Sequence, residues 1–325
     1  MMKPAYKITF ESTVIDSAAA PERSTLVRLD MSASLDTPAD SALIVLGRAG
    51  GVRPDLDVTT RVELGYTDDD ALVTVFGGAI QDIDPDLTQT RVTALSPMSR
   101  LLALRVEQGY FNQTAGSIVR DLANRAQVPV DTAEDGGTYL AYVADGRVNA
   151  YHHIRALADN AGLDVYLTPE GKLVFKRFAG PYTIHIFEYA KHIIALDVRS
   201  APSSADKVQV YGESPADSQG DSAFAWLTKE FHPGEAGSGS ARLLLENAAL
   251  RTRAAAAMAA DAALSRLRRQ TLTGRLRSLG RPQVKLGDAI RITGAPDDRM
   301  NATFQVRSVR HRIAKQTGFI TDIAY

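Results

Sequence analysis

The chain has 325 residues, 45% hydrophobic and 23% charged, enough for two or three domains with a sizeable core. It contains no Cys, which excludes disulfides, thiolate metal sites and thiol nucleophiles. Its net charge of −1 conceals an asymmetry: residues 1–100 carry 15 Asp/Glu against 9 Lys/Arg, residues 101–240 carry 17 against 12, and residues 241–325 carry 6 against 16.

The first ten residues alternate like a strand and lack the apolar core of a signal peptide. No stretch reaches the roughly 20 apolar residues of a membrane helix. The chain is therefore expected to be assembled in the cytoplasm, with no signal peptide and no membrane anchor. Residues 5–100 read as all-β. Tyr6, Ile8 and Phe10 alternate, and short strands follow at 26–31, 42–46, 62–66 and 72–76. Turn signals separate them at Arg53–Asp55, Thr67–Asp70, Gly77-Gly78 and Asp84–Asp86. Strands at this spacing predict a barrel or sandwich.

Residues 111–178 change character. Ile118, Val119, Leu122 and Ala126 recur at helical spacing behind Thr114, a suitable N-cap. A second helix over 150–161 carries Ile154, Leu157, Ala158 and Ala161 on one stripe, and Gly162 is placed to end it. A hairpin follows, with strands at 163–167 and 172–175 around the turn Thr168–Gly171. The segment 119–130 lines up with 154–165 at an offset of 35 residues. Two such helix-to-strand units are too few for a solenoid and fit a small α/β insert. Three more strands are expected at 184–189, 193–199 and 207–211. A polar loop over 212–240 is interrupted by the apolar Phe224–Leu227. A long helix is expected over about 241–269, with Leu244, Leu250, Met258, Ala262 and Leu267 among Ala and Arg residues. The end of the chain reads as strands at 288–293, 303–313 and 319–325. Phe304 and Val306 share one parity, and Val309, His311 and Ile313 the other, which predicts a bulge near Arg307-Ser308.

Catalytic and metal signatures are weak. None of the six His residues, His152, His153, His185, His192, His232 and His311, has a partner at metal-ligand spacing; His311 falls on the inward parity of its strand. Asp68–Asp70 and Asp84/Asp86 lack the Gly and distal Glu of a calcium loop and suit turns. Gly237–Ala241 leads toward the long helix without the Lys-Ser/Thr pair of a phosphate cradle. No catalytic residue, cofactor or metal is expected. The chemistry-rich set is basic: Arg251, Arg253, Arg266, Arg268, Arg269, Arg275 and Arg277, which are candidates for inter-subunit or lumen contacts. Aromatic residues scarcely interleave with them, unlike in single-strand binders, so nucleic acid is expected at most as lumen cargo.

Several blocks together resemble one family. Arg281-Pro282, Leu286–Asp288, Phe304–His311 and Gly318-Phe319 look like the end of the hub domain in the late control protein D and VgrG family. Val62–Tyr66, Val75–Ile83 and Arg91–Leu101 are similar to its first tube-forming barrel. Phe111–Ala115, Ile118–Ala123 and Leu157–Phe175 resemble its insert, although Asn149–Tyr151 departs from the usual aromatic pattern before the second helix. The resemblance implies an α+β chain with two tube-type β-barrel domains, a small α/β insert and one long helix. The expected parts are 1–105, 106–180 (two helices and a hairpin) and 181–325, the last with loop 212–240 and the long helix. It also implies a non-enzymatic homotrimer in a phage or phage-like contractile baseplate. Such a hub is a virion component and tube-spike adaptor, joining a hexameric inner tube protein to a trimeric spike protein beside other baseplate proteins, and it ends in a virion tail or extracellular injection particle. Because the sequence stops after a strand at Tyr325, a separate rather than fused spike is expected. The alternatives are the tail-tip hub of a non-contractile phage tail and a baseplate-associated cell-wall hydrolase.

Overall fold

The computed structural model describes residues 3–21, 25–47, 52–180, 182–215, 227–229 and 233–325, with side chains at all of these except 214, 215 and 227–229. Phe224, Trp226 and His232 lie outside the described residues. The first part contains β1 (Pro4–Phe10), β2 (Thr13–Asp16), β3 (Leu26–Ser34), β4 (Ser41–Gly47), β5 (Thr59–Tyr66), β6 (Val73–Pro85) and β7 (Gln89–Leu95). The middle contains α1 (Met98–Ala103), β8 (Gln108–Thr114), α2 (Ala115–Arg125), β9 (Val130–Ala133), β10 (Thr138–Ala144), α3 (Ala150–Ala161), β11 (Asp164–Leu167) and β12 (Leu173–Lys176). The last part opens with β13 (Ile184–Glu188), β14 (Ile193–Ser200), β15 (Lys207–Tyr211), β16 (Glu213–Pro215), β17 (Leu227–Lys229), β18 (Gly234–Gly237) and β19 (Arg242–Glu246). It ends with α4 (Arg253–Arg269), β20 (Leu272–Leu279), β21 (Ala289–Thr293), β22 (Thr303–Gln305), β23 (Ser308–Ala314) and β24 (Gly318–Ala324).

The chain is α+β as expected. Strands β1–β7 of the first expected barrel, however, are hydrogen-bonded with β14, β20, β23 and β24 of the second into one sheet, in the order β14-β20-β24-β23-β3-β4-β7-β6-β5-β1-β2, with edges at β14 and β2, while β13, β21 and β22 form a small separate sheet. Its seam is β3 against β23, where Arg28–Ser34 pair antiparallel with Ala314–Ser308. The alternation visible in the sequence supplies the reason. Leu29, Met31, Val309, His311 and Ile313 all face one core, with Ile8, Ile44, Val62, Phe76 and Ile323, and burying that face drives pairing across the seam. The pairing changes partner along β6. Val73–Ala79 pair with β5, whereas Ala79–Pro85 pair with β7 through a register shift between Ile80 and Asp82. A bulge of this kind re-aims a strand.

A second core holds the insert. Thr114 caps α2 through the Ser117 amide, and Asn149 caps α3 through the His152 amide. Gly162 closes α3 at φ +66, a left-handed conformation in which a side chain is strained. The two repeated units deliver β9 and β11 to opposite sides of β12.

Three expectations for the last part are corrected. The helix begins at Arg253, behind the N-cap Thr252, and not near 241. Residues 242–246 instead form β19, parallel to β15, and Leu244 is exposed on it; Gly237–Ala241 therefore precedes a strand. Secondly, α4 does not pack with the large sheet. Ala256, Ala259, Ala260, Ala263 and Leu264 join the insert's core, with Val208, Val210 and Ala236. Alanine keeps that helix face thin, and Gly234 of β18 lies directly against the backbone of Ala256 and Ala257. The division of the chain at 180/181 is thus crossed by packing. Thirdly, the parity break near Arg307 is a change of sheet rather than a bulge. β22 pairs with β21 in a small sheet, and after Val306-Arg307 the chain enters the large sheet as β23. Among the described residues no helix is long and apolar enough to cross a membrane.

Candidate assembly surface

The face of the large sheet opposite its core is charged. In β20, Leu276 and Ser278 are buried while Arg275 and Arg277 point outward. In β23, Arg310 and Arg312 alternate with buried Val309, His311 and Ile313. Period-2 alternation then aligns the charges of neighbouring strands. Arg277 Nε lies 2.6 Å from Asp322 Oδ1, and Arg312 Nη2 lies 2.5 Å from Asp322 Oδ2. At the seam Arg310 grips Asp30 with two donors, the Nε at 2.6 Å, and Arg28 adds a third at 2.9 Å. Burial pushes the Asp30 carboxyl upward in pKa, but the hydrogen bonds and charges of Arg310 and Arg28 outweigh it, leaving the pKa below the usual carboxylate value. Arg275 stands opposite Asp197 in register. A shallow trough of about 600 Å³ runs over this face, lined by Ser32, Asp197, Arg275, Arg277, Arg310 and Asp322 among others.

The balance of charge changes along the sheet. From β14 to β3 the outer face carries six arginines (Arg28, Arg199, Arg275, Arg277, Arg310, Arg312) against three aspartates (Asp30, Asp197, Asp322). Beyond β4, Lys7, Arg61 and Arg91 face Asp16, Glu63, Asp82 and Asp84. Asp82 and Asp84 sit on the half of β6 that pairs with β7 alone. Among the described residues, 81–85 therefore pair on one side only and carry two aspartates, and β14 pairs only with β20 and its arginines.

The seven candidate arginines do not form one surface. Arg275 and Arg277 belong to the charged face. Arg266 binds Asp159 of α3, through its carboxylate at 3.0 Å and its carbonyl at 3.0 Å. Arg251 is partnered within the protein. Arg253 is exposed at the start of α4, and Arg268 and Arg269 are exposed at its end. Sequence reasoning missed Arg28, Arg310 and Arg312 and their partners Asp30 and Asp322. The alternation of Val309–Ile313 already placed Arg310 and Arg312 on the face opposite His311.

The described histidines serve the fold. His311 is 1% exposed and bonds Thr321 Oγ1 at 3.0 Å; burial pushes its pKa down to about 4 against a hydrogen bond to the Val284 backbone. His153 lies between Tyr142 Oη and the Asp145 carbonyl, His185 on Asp288 at 2.9 Å, and His152 on Asn149. His192 accepts the Glu188 amide. Among the described residues no group of three or more His, Asp or Glu is placed to hold a metal. A cavity of about 290 Å³ beneath His311 is lined by Asp40, Ser96 and Lys285, and burial raises the Asp40 pKa to about 7 against the Ser34 backbone hydrogen bond. The aspartate-rich turns act as expected: Asp69 accepts the Tyr66 amide at 2.8 Å, and Asp86 the Thr88 amide at 3.2 Å.

No family model matches the sequence, and no curated protein matches it. Solved structures do match in fold. The 43 kDa tail protein of prophage MuSo2 from Shewanella oneidensis superposes with a TM-score of 0.70 at 12% identity, over 98% of this chain and 97% of that one. A tail protein from Neisseria meningitidis superposes with a TM-score of 0.69 at 15% identity, over 99% and 96%. An E. coli component of the type VI secretion system, described as structurally similar to phage T4 tail proteins, superposes with a TM-score of 0.62 at 12% identity, over 92% of this chain and 72% of that one. The chain shares the fold of these proteins almost from end to end.

Proposed function

We propose that this chain is a structural component of a phage tail or phage-like contractile particle. Within it the chain would be the central hub of the baseplate, a homotrimer that adapts the hexameric inner tube to a trimeric spike. The observation that carries the reading is the end-to-end fold match, in both directions, to two tail proteins. The sheet supports it physically. β14 is an eight-residue edge strand without Pro or Lys, and edges so unprotected are liabilities unless another chain covers them. The free half of β6 is acidic and the neighbourhood of β14 is basic. Head-to-tail copies therefore bring opposite charges together, as a closed ring with heterologous interfaces requires. Each chain would supply two sheet segments, one from β1–β7 and one from β14, β20, β23 and β24, so that three chains make a ring of pseudo-sixfold outline.

Light scattering of the purified protein tests this reading. A mass near three times 35.1 kDa at low salt, falling as salt is raised, is the expected result, because exposed charge pairs are screened. Addition of the spike should hold the trimer together at high salt. A monomer at every salt concentration, unaffected by the spike, would overturn the hub reading.

A further inference from the structure

A second charged cluster lies away from the sheet face, where α3, α4, β11 and the links after β3, β12 and β22 meet. Asp159 receives Arg155 at 3.2 Å and Arg266 at 3.0 Å. Arg155 also donates to the Leu35 carbonyl at 2.8 Å. Arg307 lies 2.5 Å from Asp36, and Gln305 Nε2 donates to Asp164 at 2.5 Å. Arg177 donates only to a neutral acceptor, the Ala161 carbonyl, at 2.8 Å. Arg269 forms no ion pair among the described residues. Burial lowers its pKa, and Arg307, Arg266 and Arg177 lower it further against Asp164 alone. Five arginines thus share three aspartates. Two of those aspartates are held by Arg155, Arg266 and Arg307, which leaves Asp164 as the carboxylate near Arg269 and, among the described residues, no ion pair for Arg177 or Arg269, both exposed at the surface.

Crowded like charges destabilise a fold unless something answers them, and local conflicts of this kind are expected at functional sites. The guanidinium fork suits a planar oxyanion. We propose that Arg177 and Arg269, backed by Arg266 and Arg307, form a site for a carboxylate on an acidic segment of a partner protein. A nucleic-acid strand fits less well. Asp36, Asp159 and Asp164 sit among the arginines and repel a phosphate chain. The proposal stands on this cluster and is independent of the trimer.

The test is binding of a labelled hexaglutamate peptide at low salt, followed by fluorescence anisotropy, with an oligothymidylate of equal charge in parallel. Arg269→Glu and Arg177→Glu should each weaken peptide binding at least about tenfold. Arg268→Glu, with the same change in net charge on an equally exposed neighbour outside the cluster, should leave it nearly unchanged. Equal losses in all three variants, or no peptide binding by the unaltered protein, would overturn the site. Tighter binding of the oligothymidylate, lost in the same two variants, would transfer the site to nucleic acid and refute the proposal. A structural role is separated by Arg269→Gln: relief of repulsion should leave the melting temperature of the free protein unchanged or higher, and a fall of several degrees would count against a ligand site.

Discussion

Replacing Arg310 by Ala attacks the seam between the first and last thirds of the chain. Arg310 and Asp30 are 280 positions apart, so their contact exists only when β3 and β23 are paired. Two charge-assisted hydrogen bonds are lost, each worth about 1.5–3 kcal/mol. Water recovers part of this, since the Arg310 side chain is 47% exposed, while Asp30 is only 6% exposed and keeps Arg28. The expected cost is about 2 kcal/mol, between a surface pair and a buried one. Arg28→Ala alone should cost no more than about 0.5 kcal/mol, because its side chain is 50% exposed. Removing both leaves Asp30 buried without a cation, at about 4 kcal/mol, so the double variant should exceed the sum of the singles by roughly 1.5 kcal/mol. Urea midpoints at neutral pH measure all three. Acidification adds a check of sign. The folded pKa of Asp30 is depressed, so its contribution is present above the unfolded value and lost as pH falls through the folded one. In the double variant burial acts unopposed and raises that pKa, so its deficit should shrink on acidification. Strict additivity, or Arg310→Ala within about 0.5 kcal/mol of the parent, would refute the reasoning.

Other consequences can be measured in the same way. His311 is neutral in the fold, with a pKa of about 4 against about 6.5 when unfolded. Its contribution should be complete above pH 6.5 and fall by about 3 kcal/mol as pH drops toward 4; a His311→Gln variant should lack that slope, and an unchanged slope would assign it to other groups. Gly234→Ala places a Cβ 2.1 Å from the Ala256 carbonyl carbon. It should cost about 1–3 kcal/mol or more by forcing β18 off α4, seen as a lower melting temperature; an unaffected melting temperature would mean the two elements separate cheaply. Gly162→Ala meets both φ +66 and the Ala262 methyl at 3.1 Å, and should lose about 1 kcal/mol or more. Asp82→Arg with Asp84→Arg should shift the trimer toward monomer at low salt without lowering the melting temperature of the monomer; an unchanged mass would remove the charged-edge account of the ring.

Local patterns in the sequence determined the elements and the face each presents. Thr114, Asn149 and Gly162 act through hydrogen bonds and dihedrals within one turn, so their caps follow from neighbours in the chain. The alternation around Ile8, Leu29 and His311 likewise fixed which side chains turn inward, because the strand period is a property of the backbone. Tertiary structure decided what those faces meet. Leu243–Leu245 have helix-compatible residues before an Ala-rich run, yet pairing with β15 holds them as a strand. The parity break near Arg307 looks like a bulge until the partners of β22 and β23 are known. The candidate arginines were legible as a basic third of the chain but not as sites. Arg266 is spent on Asp159 and Arg277 on Asp322, while Arg269 stands among cations with Asp164 as the nearby carboxylate. A charge acts over a few ångströms of space regardless of separation along the chain, so its role is set only when distant strands and helices are brought together.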